Sequence, residues 1–394
     1  MKNIKDGNKI LIMLAFFSIS IGLWGNFRQL WLQDNNFSVT QISNIISIGT
    51  FISVIGIALI GRYVTLNKLK KSLTFILIIK FINMLALYYL NGTNQLELIK
   101  LTIVIDIIME YIIITSIYPL ITTIVKNNTI YSKRKLTEYL FRDIGILFGG
   151  IFIGKSIAGI LVNYNTCLII SNIFLAISII TMMNIKINHT EEKQKKNNSM
   201  IKYILKSKIL SLYLLDMFIG TIAMSTALGL KMLTLTNYFA FSDSIATNYL
   251  LIVGLIADGV GILALKYLTP KNDYLTITIK FGIRFTGYVI AFISNNLMIT
   301  LIAITWSLLI STAYENICDG VYINRVDNDY QLSFANVRYV IRFLGEAIGV
   351  FLCGIMYEIG LKYMFGLSAI FMIFQIGLAY YLIYLRNKEK LEMN

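Results

Sequence analysis

Long runs of apolar residues, separated by short polar segments, recur along the whole chain. Each run is about 20 to 25 residues long, the length that a helix needs to cross the hydrocarbon core of a bilayer. The runs begin near Ile10, Gln41, Ser72, Lys100, Asp143, Asn165, Ile209, Ser244, Tyr274, Leu297, Arg338 and Tyr363. The pattern therefore predicts an all-α membrane protein with twelve transmembrane helices.

One extended polar stretch interrupts this pattern. Residues 188–199 read NHTEEKQKKNNS and lie between the sixth and seventh runs, so that they divide the chain into halves of about equal length. We therefore expect an N-terminal six-helix bundle over residues 1–187, a cytoplasmic linker over 188–208 and a C-terminal six-helix bundle over 209–394.

Matching residues recur in the two halves at a constant spacing of 200 positions. In the fifth and eleventh predicted helices these are Arg142, Gly145, Gly149 and Gly154, and Arg342, Gly345, Gly349 and Gly354. Lys80-Phe81 and Lys280-Phe281 follow the same spacing. Several matches at one offset and at equal positions in the topology indicate a duplicated unit. We therefore predict two pseudo-symmetric six-helix bundles.

Composition and charge agree with a membrane protein. Apolar residues make up 57% of the chain and charged residues 14%, whereas a soluble domain carries about 25% charged residues, so we expect no soluble catalytic domain and no enzyme. The formal charge of +14 would suit nucleic-acid binding. However, lysines and arginines concentrate in the loops of one side, at 2–9, 68–71, 126–135, 193–208, 271 and 386–390. This side is therefore predicted to be cytoplasmic and to hold both termini, and no nucleic-acid partner is expected.

Residues that could support disulfide or metal chemistry are few. Cys167, Cys318 and Cys353 lie far apart in or beside apolar runs, and His189 lies in the polar stretch. This distribution favours neither a disulfide framework nor a metal site, and we expect no metal and no cofactor.

The predicted arrangement of two six-helix bundles, with cytoplasmic termini and a cytoplasmic central loop, resembles the major facilitator superfamily over nearly the whole chain. The family's motif between helices 2 and 3 is matched in part by residues 57–63 (IALIGRY) and better by residues 261–267 (GILALKY). Gly61 and Leu265 stand where the family has an aspartate. The resemblance implies the major facilitator fold and a secondary transporter that alternates access by rocking of its halves.

A glycine pattern on the fifth predicted helix adds a finer resemblance. Gly145, Gly149 and Gly154 partly reproduce a pattern of the family's drug–proton antiporters, with Gly150 where those proteins have proline. The similarity favours efflux by proton antiport. Small residues four apart also let two membrane helices pack closely, which requires no antiport. The glycines of both halves, together with Arg142 and Arg342, are therefore predicted to serve gating or packing.

Charged residues inside the predicted helices point to the functional site, since an ionised side chain at the bilayer centre costs about 2.5 to 3.5 kcal/mol on insertion scales. In the family, helices 1, 4, 7 and 10 line the central cavity. These helices carry Arg28, Asp106, Glu110, Asp216, Lys231, Glu315 and Asp319. Pairs four residues apart share one helix face, and these are Asp106 with Glu110 and Glu315 with Asp319. Repulsion within a pair favours a proton on one member.

Two functions are therefore open to these charges. Carboxylates that bind a proton or cation for coupling are predicted at Asp106, Glu110, Asp216 and Glu315; structural ion pairs are the alternative. Arg28 and Lys231 form a symmetric basic pair that could bind one organic anion or extend to the lipid headgroups. Lys80 could extend in the same way or pair with a carboxylate. Candidates for stacking on an amphipathic substrate are Tyr111, Tyr314 and Trp306.

The leading functional prediction is proton-coupled export of an amphipathic or cationic small molecule. The first alternative is uptake or exchange of an organic anion bound by Arg28 and Lys231. The second is a transporter-like sensor that moves nothing, which the missing loop aspartates keep open. The expected partners are a small-molecule substrate, protons and the lipid bilayer. We expect a monomer in the cell membrane of a bacterium.

Overall fold

The structure is a computed structural model, and it describes residues 2–25, 27–63, 66–126, 149–161, 163–185, 197–267, 273–309, 322, 325–327 and 330–393. All regular secondary structure in these ranges is helical. The helices are α1 Lys2–Gly25, α2 Phe27–Asp34, α3 Val39–Tyr63, α4 Leu66–Leu90, α5 Leu96–Lys126, α6 Gly149–Leu161, α7 Tyr164–Met183, α8 Asn197–Lys206, α9 Lys208–Leu228, α10 Lys231–Leu233, α11 Asp243–Tyr267, α12 Asp273–Ile293, α13 Leu297–Leu308, α14 Gln331–Ile359 and α15 Leu361–Met393.

The helices have the length and surface of membrane spans. Among the described residues, seven helical segments are long and apolar enough to cross a bilayer, and four shorter apolar helices accompany them. Large apolar side chains remain exposed along them, as on α3, where Ile48, Phe51 and Ile55 are 53%, 49% and 49% exposed. Water would not tolerate so much apolar surface, whereas lipid does. The chain is thus a multi-pass membrane protein; the side on which its termini lie stays a prediction.

The chain forms two compact units. The first consists of Met1–Ser38, Ile48–Gln194 and Ser242–Asn248. The second consists of Val39–Ser47, Lys195–Phe241 and Tyr249–Asn394. Each unit therefore takes most of its residues from one half of the chain and a short helix start from the other half.

Corresponding helices pack together in the two units, as a duplicated unit requires. In the first unit α1 packs against α7, and α4 packs against both α5 and α7. In the second unit α9 packs against α15, and α12 packs against both α13 and α15. A further pair corresponds, since α1 contacts α6 and α9 contacts α14. The repeated packing supports the internal duplication predicted from the 200-residue spacing.

Glycines make these last two contacts close. A Cβ atom on Gly154 would lie 2.7 Å from the backbone nitrogen of Leu23 on α1, and one on Gly150 would lie 2.9 Å from the carbonyl oxygen of Ala15. The matching contact in the second unit uses Gly345 and Gly349 against α9. A Cβ on Gly149, in contrast, would meet no described atom within 4 Å. Gly150 thus has the packing role in the first unit that the 200-residue spacing predicts for Gly149.

Lys231 lies where the seventh predicted span is interrupted. The helix α9 ends at Leu228, and the chain continues as α10 and then as a π-helical turn, Thr234–Tyr238. Tyr357 of α14 stabilises this segment, because its hydroxyl donates to the carbonyl of Leu233 at 3.1 Å. The hydroxyl of Tyr238 donates in turn to the carbonyl of Tyr357 at 2.9 Å. Such π-helical turns occur frequently at functional sites.

Candidate functional site: a buried charge cluster

The first unit contains a cluster of charged side chains at the junction of α1 and α2. Bulky side chains on both sides of this junction are fully buried, namely Trp24, Phe27 and Trp31. They fix the position of Arg28, in the first turn of α2, because packed aromatic rings leave the short helix little freedom. The charges that meet Arg28 come from two other helices, α4 and α5.

Four ionisable groups form the cluster. The Nη2 atom of Arg28 donates to Oδ2 of Asp106 at 2.8 Å and to Oε2 of Glu110 at 2.6 Å. The Nζ atom of Lys80 on α4 donates to Oδ1 of Asp106 at 2.6 Å. Lys80 also lies 3.5 Å from Oε2 of Glu110. Because Asp106 and Glu110 are one turn apart on α5, both carboxylates reach the same two cations.

Asp106 is the centre of the cluster. Besides Arg28 and Lys80, the indole Nε1 of Trp24 donates to its Oδ2 atom at 3.1 Å. A carboxylate without water needs such donors, since burial of an uncompensated charge is costly.

We expect Trp24→Phe to lower the free energy of unfolding by about 1 to 3 kcal/mol, because the change removes one donor from a buried carboxylate and preserves most of the aromatic packing. Unfolding of the purified protein by sodium dodecyl sulfate in mixed micelles measures the effect. The matched control is Trp306→Phe, since Trp306 is 45% exposed and its indole donates only to Thr286 at 3.1 Å. Equal losses in the two variants would contradict the role of Trp24 at Asp106.

Burial distinguishes the two sides of the cluster. The side chains of Lys80 and Asp106 are 2% and 0% exposed, whereas those of Arg28 and Glu110 are 10% and 14% exposed. We call the second pair the Arg28–Glu110 edge. A proton or a ligand can reach the cluster only at this edge. With both carboxylates ionised, two positive and two negative charges balance in a medium where a net charge is expensive.

This geometry changes the interpretation of the predicted residues. The sequence predicts that Asp106 and Glu110 repel each other, but two cations face them, so that neither carboxylate needs a proton for stability. Arg28 contacts these carboxylates with a largely buried side chain and does not extend towards headgroups. Lys80 adopts the second of its two predicted roles and pairs with a carboxylate.

The second unit holds two of the other predicted residues. Lys231 interacts electrostatically with Glu346 of α14. Asp216 on α9 is buried, and its backbone carbonyl accepts a hydrogen bond from Nε2 of Gln375 at 3.3 Å. The structure therefore does not bring Asp216 and Lys231 together through any contact that it describes.

The remaining predicted residues are dispersed. Tyr111 follows Glu110 on α5 and interacts electrostatically with Arg28. Trp306 lies on α13, Arg342 is half-buried on α14, and a Cβ on Gly354 would overlap the side chain of Ser43. The predicted residues outside the described ranges are Arg142, Gly145, Tyr314 and Glu315.

Two residues of these charge networks were not predicted. Trp24 precedes Arg28 by four positions, a spacing that could have placed its indole beside the cluster. Glu346 lies four positions after Arg342, on a helix for which the family resemblance predicts no cavity position. Neither residue type carries a sequence signal of its own for this role.

Comparison with known proteins shows the fold. No protein-family model and no curated protein sequence matches this chain. Solved structures match it nearly end to end at low identity. The nucleoside transporter NupG is 14% identical, with a TM-score of 0.67, over 96% of this chain and 98% of that one. The human organic anion transporter MFSD10 is 10% identical, with a TM-score of 0.69, over 96% and 100%.

A third solved structure is the fucose:proton symporter FucP of E. coli. It is 13% identical, with a TM-score of 0.64, over 97% of this chain and 99% of that one. Together these similarities confirm the predicted major facilitator fold. The resemblance to the drug–proton antiporters in particular stays a prediction.

Proposed function

We propose that this chain is a proton-coupled secondary transporter of a small molecule and that Glu110 carries the transported proton. The observation that supports it most is the balanced charge cluster with a single accessible edge. Structural ion pairs in a membrane are usually closed off, whereas one carboxylate of this cluster remains within reach of a proton.

Glu110 is a better proton carrier than Asp106. Asp106 is sealed and accepts hydrogen bonds from three side chains, so that protonation would leave several donors unpaired. Glu110 has fewer partners and a partly exposed side chain. Its protonation adds one positive charge to a balanced cluster and removes one of the two acceptors of Arg28. A change of this size at a buried site can favour a different conformation of the protein.

The transporter fold supports the same proposal. Of the compared structures, one is described as a fucose:proton symporter and another as a D-xylose–proton symporter, so this fold accommodates proton coupling. The predicted export direction rests on the glycines of the fifth span. In the structure Gly150 and Gly154 pack against α1, so their presence needs no antiport, and export stays a prediction.

Glu110→Gln is expected to abolish transport driven by a pH gradient while exchange of substrate across the membrane continues. One pH unit corresponds to about 1.4 kcal/mol, or about tenfold accumulation for one proton per substrate. The measurement uses purified protein in liposomes that contain a pH-sensitive dye. A metabolite library is first screened for solute-dependent proton movement, and active solutes are then followed as radiolabelled substrates.

Glu97→Gln is the matched control, because Glu97 lies on the same helix, has an 86% exposed side chain and pairs only with Lys100 among the described residues. We expect this variant to accumulate substrate as the wild type does. Wild-type flux that ignores the pH gradient, or gradient-driven accumulation by Glu110→Gln, would refute Glu110 as the proton carrier. Absence of flux for every solute would favour the sensor alternative.

A further inference from the structure

The guanidinium of Arg28 has hydrogen-bonding capacity that the cluster does not use. Both of its carboxylate contacts come from one nitrogen, Nη2. Its Nε atom is buried and has no hydrogen-bond acceptor among the described residues. A buried N–H without an acceptor is costly, and guanidinium presents its donors in a fork that suits the two oxygens of a carboxylate. The open capacity at the Arg28–Glu110 edge is therefore for a ligand that accepts hydrogen bonds.

The carboxylates of the cluster, in contrast, are already paired with cations. Asp106 accepts from Trp24, Arg28 and Lys80, and Glu110 contacts both Arg28 and Lys80. A cationic ligand would therefore approach two fixed positive charges at close range. It would also leave the cluster with a net charge in a medium of low dielectric constant.

Charge balance selects one combination of ligands. The empty cluster is neutral when both carboxylates are ionised. A monovalent anion alone would make it −1, and a proton alone would make it +1. The two together restore neutrality, so each must raise the affinity of the cluster for the other.

We infer that the substrate bound at the Arg28–Glu110 edge is a monovalent organic anion with a carboxylate or similar group, which binds Arg28 when Glu110 is protonated. The inference rests on the proposed function, since it takes Glu110 as the proton carrier. The proton leaves water for the Glu110 carboxylate, the anion replaces Glu110 as an acceptor of Arg28, and both are released on the other side. Transport is then electroneutral, with one proton per anion, in contrast to the cationic substrate that the sequence favours.

Benzoate is a suitable probe, with benzylammonium and benzyl alcohol as cationic and neutral molecules of similar size. We expect the purified protein in detergent to bind benzoate about tenfold or more tightly at pH 5.5 than at pH 8.5, measured by thermal stabilisation across a titration. Glu110→Gln should bind benzoate equally at both pH values, because its side chain is permanently neutral. Arg28→Gln should lose the response, whereas Arg325→Gln, at the more exposed Arg325–Glu389 pair, should keep it.

The Glu110→Gln result keeps the test decisive even if Arg28→Gln does not fold. Stabilisation by benzylammonium, benzoate binding that is independent of pH in the wild type, or no response to benzoate would each overturn the inference. The two proposals can fail separately. Gradient-driven flux of a neutral or cationic solute without benzoate binding would leave the transporter proposal intact. Benzoate binding with this pH dependence but without flux for any solute would leave only the binding site.

Discussion

Gly154→Ala is expected to lower the free energy of unfolding by about 2 to 3 kcal/mol, because an added methyl group at this position has no space. It would lie 2.7 Å from the backbone nitrogen of Leu23, 2.8 Å from Cα of Gly22 and still closer to the carbonyl oxygen of Ile19. All three are backbone atoms of α1, which cannot rotate away as a side chain can. The helices α1 and α6 would have to separate, and α1 leads directly into the Arg28 cluster.

The chain offers a matched control five residues earlier on the same helix. Gly149→Ala adds the same methyl group where no described atom lies within 4 Å, so we expect no loss and a gain of up to about 1 kcal/mol from helix propensity. Gly349→Ala should behave like Gly154→Ala, since its Cβ would lie 2.8 Å from the carbonyl of Ile222. Unfolding in sodium dodecyl sulfate gives the three values, and equal losses at Gly149 and Gly154 would show that the α1–α6 contact is not close.

These glycines also mark what the sequence could predict. The fold follows from run lengths and from the repeat, because membrane spans need a fixed length and duplicated helices keep their order. The rotation of each helix does not follow from alignment. Gly149 and Gly349 are equivalent at the 200-residue spacing, yet only Gly349 packs. The contacts in the first unit are displaced by one residue, to Gly150, which rotates the contacting face by about 100°.

The site was predictable only as a set of charges. Any ionised residue within an apolar run signals a functional or paired group, which identified Arg28, Asp106 and Glu110. The partner of each charge is a tertiary property. Lys80 and Asp106 lie 26 positions apart on different helices, and no spacing rule connects them. The missing cations also led to the prediction of a protonated carboxylate, since repulsion was estimated without Arg28 and Lys80 in place.

Asp106→Asn is expected to cost about 3 to 5 kcal/mol in the free energy of unfolding, the range found when one partner of a buried ion pair is removed. The amide still accepts hydrogen bonds from Trp24 and Arg28, so the loss is that of the negative charge. Lys80, with a side chain 2% exposed, then retains only Glu110 at 3.5 Å. Two cations would share one carboxylate in a region that water hardly reaches.

Adding Lys80→Met to Asp106→Asn should restore most of the lost stability. The double variant removes one charge of each sign and leaves Arg28 and Glu110 paired at 2.6 Å, so the cluster is neutral again. A double-mutant cycle from unfolding in sodium dodecyl sulfate measures the coupling between the two substitutions. The corresponding changes at the exposed pair Lys100 and Glu97, 2.6 Å apart, should give at most about 1 kcal/mol of coupling.

The same double variant separates stability from coupling. Because Glu110 and Arg28 remain, the proposed proton and anion sites should survive, and gradient-driven transport should continue in a protein that lacks the sealed half of the cluster. Additive losses in the cycle would mean that Lys80 and Asp106 do not stabilise each other. Restored stability together with lost proton coupling would instead place the proton on Asp106, because Glu110 is unchanged in this variant.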